Sequence, residues 1–218
     1  MDSIGNSEGG RIVLDLVAAI QKNAQLLSDI DGAIGDGDHG VNMKKGFTLA
    51  GQELARNPGN LAHGLMVVSR TLMNSIGGAM GPLYGMFFRG LANGCEGKER
   101  IDASVFEEML RATDAALRTL TQAVVGDKTL MDSFIPAADE YYAASRDGRG
   151  FSECLEAMAG ASERGRDSTR DLVAKVGRAS RLGERSRGTQ DAGATSCALI
   201  LRTIAESIID LLRRSQSG

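Results

Sequence analysis

The sequence holds no tryptophan, only three prolines and three cysteines, and aromatic residues fill 4% of its 218 positions. So little proline excludes a proline-rich linker or a collagen-like chain. Cys95, Cys154 and Cys197 are odd in number and far apart, which excludes a paired zinc-ligand pattern and a disulfide framework and leaves reduced thiols. No run of about 18 uncharged apolar residues occurs, so a membrane span is not expected. The first ten residues lack the basic-then-apolar pattern of a secretory leader, and a cytoplasmic location is the expectation. Acidic and basic residues nearly balance, 28 against 25, for a formal charge of -3. Charge therefore gives no reason to expect nucleic acid or a membrane surface as partner. With 42% hydrophobic residues, residues 1–218 can bury one core and are expected to form a single domain.

Period-two alternation is scarce too, whereas apolar residues recur at three- and four-residue spacing. Near the C-terminus Ile200, Leu201, Ile204, Ile208, Leu211 and Leu212 form one stripe, with Arg202, Glu206, Asp210 and Arg213 opposite. Near the N-terminus Ile12, Val13, Leu16, Val17, Ile20, Ala24 and Leu27 do the same. Gly, Pro and Asn/Asp punctuation divides the chain into eight predicted helices, at roughly 10–30, 41–56, 59–76, 81–95, 103–125, 129–147, 151–176 and 192–214. The fold class is then all-α, and short connections favour an antiparallel up-and-down order.

What the chain does have is glycine, 28 residues, about twice the usual ~7%. Many gather in the connections after the first, third, fifth and seventh helices. These read Asp31-Gly-Ala-Ile-Gly-Asp-Gly-Asp-His-Gly40, Gly77-Gly-Ala-Met-Gly-Pro82, Gly126-Asp-Lys-Thr129, and a long stretch from Gly177 to Gly193. In an up-and-down array these four connections lie at one end, so that rim is the candidate site.

Asp31, Asp36 and Asp38 place three carboxylates where the first helix ends, at a terminus already carrying partial negative charge. Anions gathered there are stable only with a cation, and oxygen ligands alone suit Mg²⁺ or Ca²⁺ better than zinc. An EF-hand is excluded, because the twelfth position counted from Asp36 is Phe47 and from Asp31 is Asn42. The simpler alternative is an acidic turn in which Asp38 caps the second helix. Three Asp interleaved with Gly and followed by His39 favour the metal. The helix start at Gly40-Val41-Asn42 offers free amides to an anion.

The second glycine-rich start, ahead of Pro82, has no Gly-Lys-Ser/Thr ending, and Asp127 separates Gly126 from Lys128, so a Walker A loop is excluded. Lys175, Arg178, Arg181, Arg185 and Arg187 form a basic segment. Taken alone it reads as a solvated linker; opposite the Asp trio it could meet phosphate oxygens. His63, in an apolar-periodic helix, reads as structural, and the nine methionines as core filler.

Together the four motifs, Ile34 to Met43, Gly77 to Gly85, Gly126 to Thr129 and Gly177 to Ser186, resemble the nucleotide-binding L subunit of dihydroxyacetone kinases, in order and over most of the chain. The resemblance implies an eight-helix antiparallel barrel with the nucleotide at one rim. It also implies that Asp31, Asp36 and Asp38 hold two Mg²⁺ ions on the phosphates of ADP or ATP. His39, Gly40, Val41, Asn42, Gly78, Ala79, Leu130, Arg178, Asp191 and Gly193 would line the nucleotide pocket, with Arg178 catalytic in stabilising the transferring group.

Partners implied are a K-type subunit that holds the ketose and, in some systems, a phosphotransferase-system protein that recharges bound ADP; alone, the chain would be inactive. Two positions depart from the family pattern: Met80 stands where Ser is usual, and Ala192 where Pro is usual. Alternatives are a kinase subunit for another short ketose such as a tetrulose, and a non-catalytic regulatory bundle that binds metal or nucleotide. A fatty-acid substrate is more remote, since that branch has Thr where this chain has His39.

Overall fold

The computed structural model describes residues 2–216. Among them lie eight α-helices: α1 (Gly10–Ile34), α2 (His39–Arg56), α3 (Leu61–Ser75), α4 (Met80–Cys95), α5 (Ala103–Arg118), α6 (Met131–Arg146), α7 (Phe151–Ser168) and α8 (Ala192–Gln216). Each packs on the next in sequence, and α8 closes the ring against α1. The fold is the expected all-α ring, because each amphipathic stripe has neighbours on both sides to cover it.

The scarce aromatics are spent in the core. All six phenylalanines are buried, and Phe87 touches Phe88 and Phe134 edge-on at centroid separations of 5.3 and 5.7 Å, while Phe88 meets Phe47 at 5.6 Å. These rings join α2, α4 and α6 across the middle. Elsewhere small residues bring helices together. A Cβ added at Gly90 or Gly94 of α4 would lie 2.3 Å from Thr113 Cα or 2.4 Å from Met109 Cα of α5. Glycine four residues apart thus lets the two backbones nearly touch.

A pair of three-residue strands, β1 (Ser3–Gly5) and β2 (Arg100–Asp102), was not anticipated. They pair antiparallel with Ile4 opposite Ile101, and segments this short carry no readable alternation. Asn6 extends the tie. Its side chain, 2% exposed, donates to Cys95 O and Lys98 O and accepts from Ala62 N–H. The far end of the ring is thereby closed.

Three helix ends differ from expectation, all at the glycine-rich rim. The first helix runs on to Ile34, so Asp31 sits in its last turn. The fifth stops at Arg118 rather than 125: the Arg118 guanidinium bonds Ala123 O, Thr121 Oγ1 takes the Ala123 N–H, and the chain folds back. The seventh stops at Ser168, where Ser168 and Thr169 hydroxyls bond Gly165 O and Arg166 O, offering the backbone an alternative to helix. The stretches freed in this way become walls of the site.

Candidate functional site

The four unusual connections meet in one cavity of about 830 Å³ at the rim, within the range of small-molecule sites. Its walls come from 31–42, 77–84, 120–131 and 176–193.

One wall is acidic. Asp31, on the last turn of α1, and Asp36 and Asp38, on the turn that follows, each bring a carboxylate oxygen within 4.8 Å of the others. The Gly35 N–H bonds Asp31 O at 2.5 Å and ends the helix. Asp38 stands at the N-cap of α2, yet its side chain makes no capping bond. Asp31 Oδ2 instead accepts the His39 N–H at 3.3 Å, across the turn. Structure therefore removes the capping explanation for Asp38. What fixes the turn is the approach of α1 and α2: a Cβ on Gly40 would fall 1.8 Å from Ala24 O. The donor set, three carboxylates converging with no sulfur or imidazole nitrogen among them, fits a hard divalent cation such as Mg²⁺.

The facing wall is basic and amide-rich. Arg178, 61% exposed at its side chain, reaches across to pair with Asp36. At the start of α4 the residue before the helix is Ala79, whose methyl group cannot cap it, and Gly78, Ala79 and Met80 line the cavity, so the first turn there carries no side-chain cap. The start of α8 is different. Asp191 Oδ2 accepts the Ala194 N–H at 2.7 Å and caps that helix. Burial pushes the Asp191 carboxyl up to about 7, against the opposing pull of that amide.

Below the acidic wall lies a buried polar chain. His39 Nε2 is 2.8 Å from Ser196 Oγ, Tyr84 OH is 2.5 Å from the same oxygen, and Tyr84 OH donates to Gly193 O at 2.9 Å. Burial lowers the His39 pKa to about 4, with Asp31 pulling the other way, so the ring is neutral near pH 7. The imidazole is floor rather than a free phosphate ligand.

Of the residues singled out in sequence, Asp31, Asp36, Asp38, His39, Asn42, Gly78, Ala79, Leu130, Arg178, Asp191 and Gly193 line the cavity. Gly40 and Val41 do not: Gly40 is packed on α1 and Val41 is 64% exposed. Sequence reasoning missed Ser196, which sits unmarked within an apolar helical pattern, and gave no role to Tyr84 or Lys128 although both lie in quoted motifs. His63 bonds Asn57 O at the opposite end of its helix from the site, as a structural histidine would.

Comparison with known proteins bears on this geometry. The DAK2 domain family matches residues 33–206. The PEP-dependent dihydroxyacetone kinase 2 ADP-binding subunit DhaL of Listeria innocua is 35% identical over 91% of this chain and 93% of its own length. The corresponding Escherichia coli subunit is 34% identical over 84% and 87%, and D-erythrulose kinase of Mycolicibacterium smegmatis is 34% identical over 93% of this chain but 37% of its own. The crystal structure of the dihydroxyacetone kinase of C. freundii superposes with a TM-score of 0.68 at 23% identity, covering 92% of this chain, which spans 34% of that one. With a family match over most of its length and relatives near 35% identity covered almost end to end, the chain belongs to the DAK2 domain family, among the DhaL-type subunits of dihydroxyacetone kinases.

Proposed function

We propose that this chain is the nucleotide-binding subunit of a two-component dihydroxyacetone kinase. It holds ADP and its recharged triphosphate with two Mg²⁺ ions, passes the terminal phosphoryl group to a ketose carried by a separate K-type subunit, and is recharged by a phosphotransferase-system protein in the cytoplasm. The observation that carries the reading is the convergence of Asp31, Asp36 and Asp38 within 4.8 Å, on a cavity whose other wall presents Arg178 and the uncapped start of α4. Relatives covered over roughly nine tenths of their length are named ADP-binding subunits of PEP- or PTS-dependent kinases, which supports resident ADP over exchanging ATP.

The three carboxylates would hold the cations, and bound there Mg²⁺ supplies charge neutralisation to the polyphosphate. Amides at the start of α4 receive phosphate oxygens, whereas those at the start of α2 are taken by Asp31 and Asp38 or lie off the cavity. The Arg178 guanidinium meets the oxygens on which charge develops. Leu83, Leu120 and Leu130 give the cavity an apolar surface for the base. Neither histidine is free to take a proton from a sugar hydroxyl, since His39 is engaged by Ser196 and His63 lies on Asn57 O. This supports a proton acceptor supplied by the partner.

Calorimetry with ADP, with and without Mg²⁺, tests the reading: tight binding only with the metal is expected, and no nucleotide binding in either condition overturns it. Coupled assay with a K-type subunit and a phosphotransferase protein should give turnover, whereas the chain alone gives none. Matches to D- and L-erythrulose kinases at 34% and 30% identity favour a tetrulose as the second substrate reading. Parallel assays on dihydroxyacetone and both erythruloses decide it.

A further inference from the structure

Between α7 and α8 the chain makes a loop whose two sides come together before the tip. Ala174 N–H bonds Ser186 Oγ at 2.9 Å, and Gly188 N–H bonds Arg170 O at 2.8 Å. The tip, residues 175–185, carries Arg178. Lys128 lies inside this neck. It is 2% exposed, and its ammonium donates to Ser186 O and Thr189 O, each at 2.6 Å, and to Leu172 O at 3.2 Å. Leu172 belongs to one side of the neck, Ser186 and Thr189 to the other.

Three donors thus meet three backbone carbonyls, which is how a buried ammonium avoids the penalty of an unpaired charge. The charges around it are Asp191, Asp132 and Asp171, with Arg187 opposing; none of the three carboxylates bonds it. Its donors are spent on main chain, so unlike a P-loop lysine it has none left for a phosphate. The backbone is built to deliver this side chain. Lys128 has a φ of 64°, the one positive φ outside glycine among the described residues. Asp132 clamps the strained turn from both sides, accepting the Gly126 and Thr129 N–H groups at 2.6 Å each. Asp127 O receives the Lys175 N–H at 3.1 Å, and its carboxylate pairs with Lys175 Nζ at 3.0 Å, fastening the same turn to the near end of the tip. A left-handed conformation in a lysine persists only where its surroundings over-determine it.

We propose that Lys128 is a positioning residue for Arg178: its ammonium pins the two sides of the loop neck together and thereby holds the guanidinium at the acidic wall. The kinetic part of this rests on the kinase reading above; the pinning itself does not.

The test is Lys128→Met, which keeps most of the volume and removes the donors. In folded, metal-free protein, trypsin cleavage after Arg178, Arg181 and Arg185 should quicken by at least about tenfold, the usual scale for losing hydrogen bonds to a charged group. Affinity for Mn²⁺ alone, used as the probe of the acidic wall, should not fall, because the three ligands lie on another connection and releasing the guanidinium from Asp36 can only favour a cation there. In the two-component assay, kcat should fall towards that of Arg178→Met, and the double variant should be no slower than Arg178→Met alone, since both act through one group. Additive losses in the double variant, or unchanged tip cleavage, overturn the proposal. Should Lys128→Met fail to fold, Lys128→Gln decides, because its amide keeps two donors for the buried carbonyls but loses the charge and the third donor that tie both sides of the neck. Faster tip cleavage and a kcat loss absent from the Arg178→Met background are expected, and wild-type behaviour in both overturns the proposal. If wild-type protein binds no nucleotide, the kinase reading fails while the cleavage experiment still reads the pinning.

Discussion

Asp31 Oδ2 accepts the backbone N–H of His39 at 3.3 Å, so the residue that closes α1 also caps α2. The other two carboxylates of the cluster have no such duty: Asp38 makes no capping bond, and Asp36 meets only the exposed Arg178.

The three aspartates should therefore separate by experiment. Asp31→Ala should lower stability by about 1 kcal/mol, the usual worth of a cap, and abolish metal-dependent ADP binding. Asp36→Ala and Asp38→Ala should weaken metal-dependent ADP binding by about 100-fold, on the scale of 1.5–3 kcal/mol for a charged contact. In contrast to Asp31→Ala, these two should leave the melting temperature unchanged or slightly higher, because without metal three carboxylates within 4.8 Å of one another repel. Calorimetry and thermal melts without metal check both halves. Equal melting losses in all three variants would contradict the division of labour.

Arg178 stands over the acidic wall with its side chain mostly exposed, so truncating it removes little packing. Arg178→Ala should keep the wild-type melting temperature and lower turnover by about 10²–10³, as for loss of one donor to a developing charge. Lysine at this position restores charge but not the planar fork, and rescue should be partial. Steady-state assay with the partner subunit reads both.

Gly40 is where α1 and α2 touch by backbone. No rotamer relieves a clash between a Cβ and the Ala24 carbonyl, so Gly40→Ala should destabilise by about 1–3 kcal/mol and shift the turn that carries Asp36 and Asp38. A denaturant titration and Mn²⁺ affinity should both change. By contrast, alanine at Gly77, which has open space around it, should leave both unchanged.

Asp191 gives the fold a pH dependence. Its carboxyl is pushed up to about 7 by burial, from a usual value of 3.8, with Asp132 and Asp31 adding repulsion and Lys128 and the Ala194 amide opposing. A value higher in the folded than in the unfolded state means that folding favours the protonated form. Its contribution is full below about pH 4 and is lost as pH rises to about 7. Asp191→Asn, which keeps an oxygen for the Ala194 N–H, removes that slope. The stability difference, variant minus wild type, should grow in the variant's favour by a few kcal/mol at most between pH 5 and pH 8. Parallel denaturant titrations at the two pH values check this, and a constant difference would refute it.

The helical core was legible in the sequence because burial has a period. The stripes of α1 and α8 were read residue by residue, and Ile12, Leu16, Ile20, Ile200, Leu201 and Ile208 are all fully buried. Where local chemistry outweighed periodicity, the reading failed. The ends of α5 and α7 are set by hydroxyls and a guanidinium bonding backbone, and apolar spacing carries no trace of them. Glycine was only half legible. Its clustering in four connections marked the rim, while at Gly90 and Gly94 its role is the contact of two helix backbones, which exists only once α5 lies beside α4.

By itself the sequence determined the fold class, the rim that carries the candidate cavity and the three clustered carboxylates, because each is written in spacing and residue type along the chain. Tertiary structure alone decided what each group does there. It turned the His39 ring onto Ser196, gave the Asp191 carboxylate to the start of α8, and left Asp38 free of the helix that it precedes. It also buried Lys128 among three carbonyls 44 to 61 residues away. The reason is physical: burial, hydrogen-bond partnership and the pKa that follows from them are properties of neighbours in space, and most of these neighbours are remote in the chain.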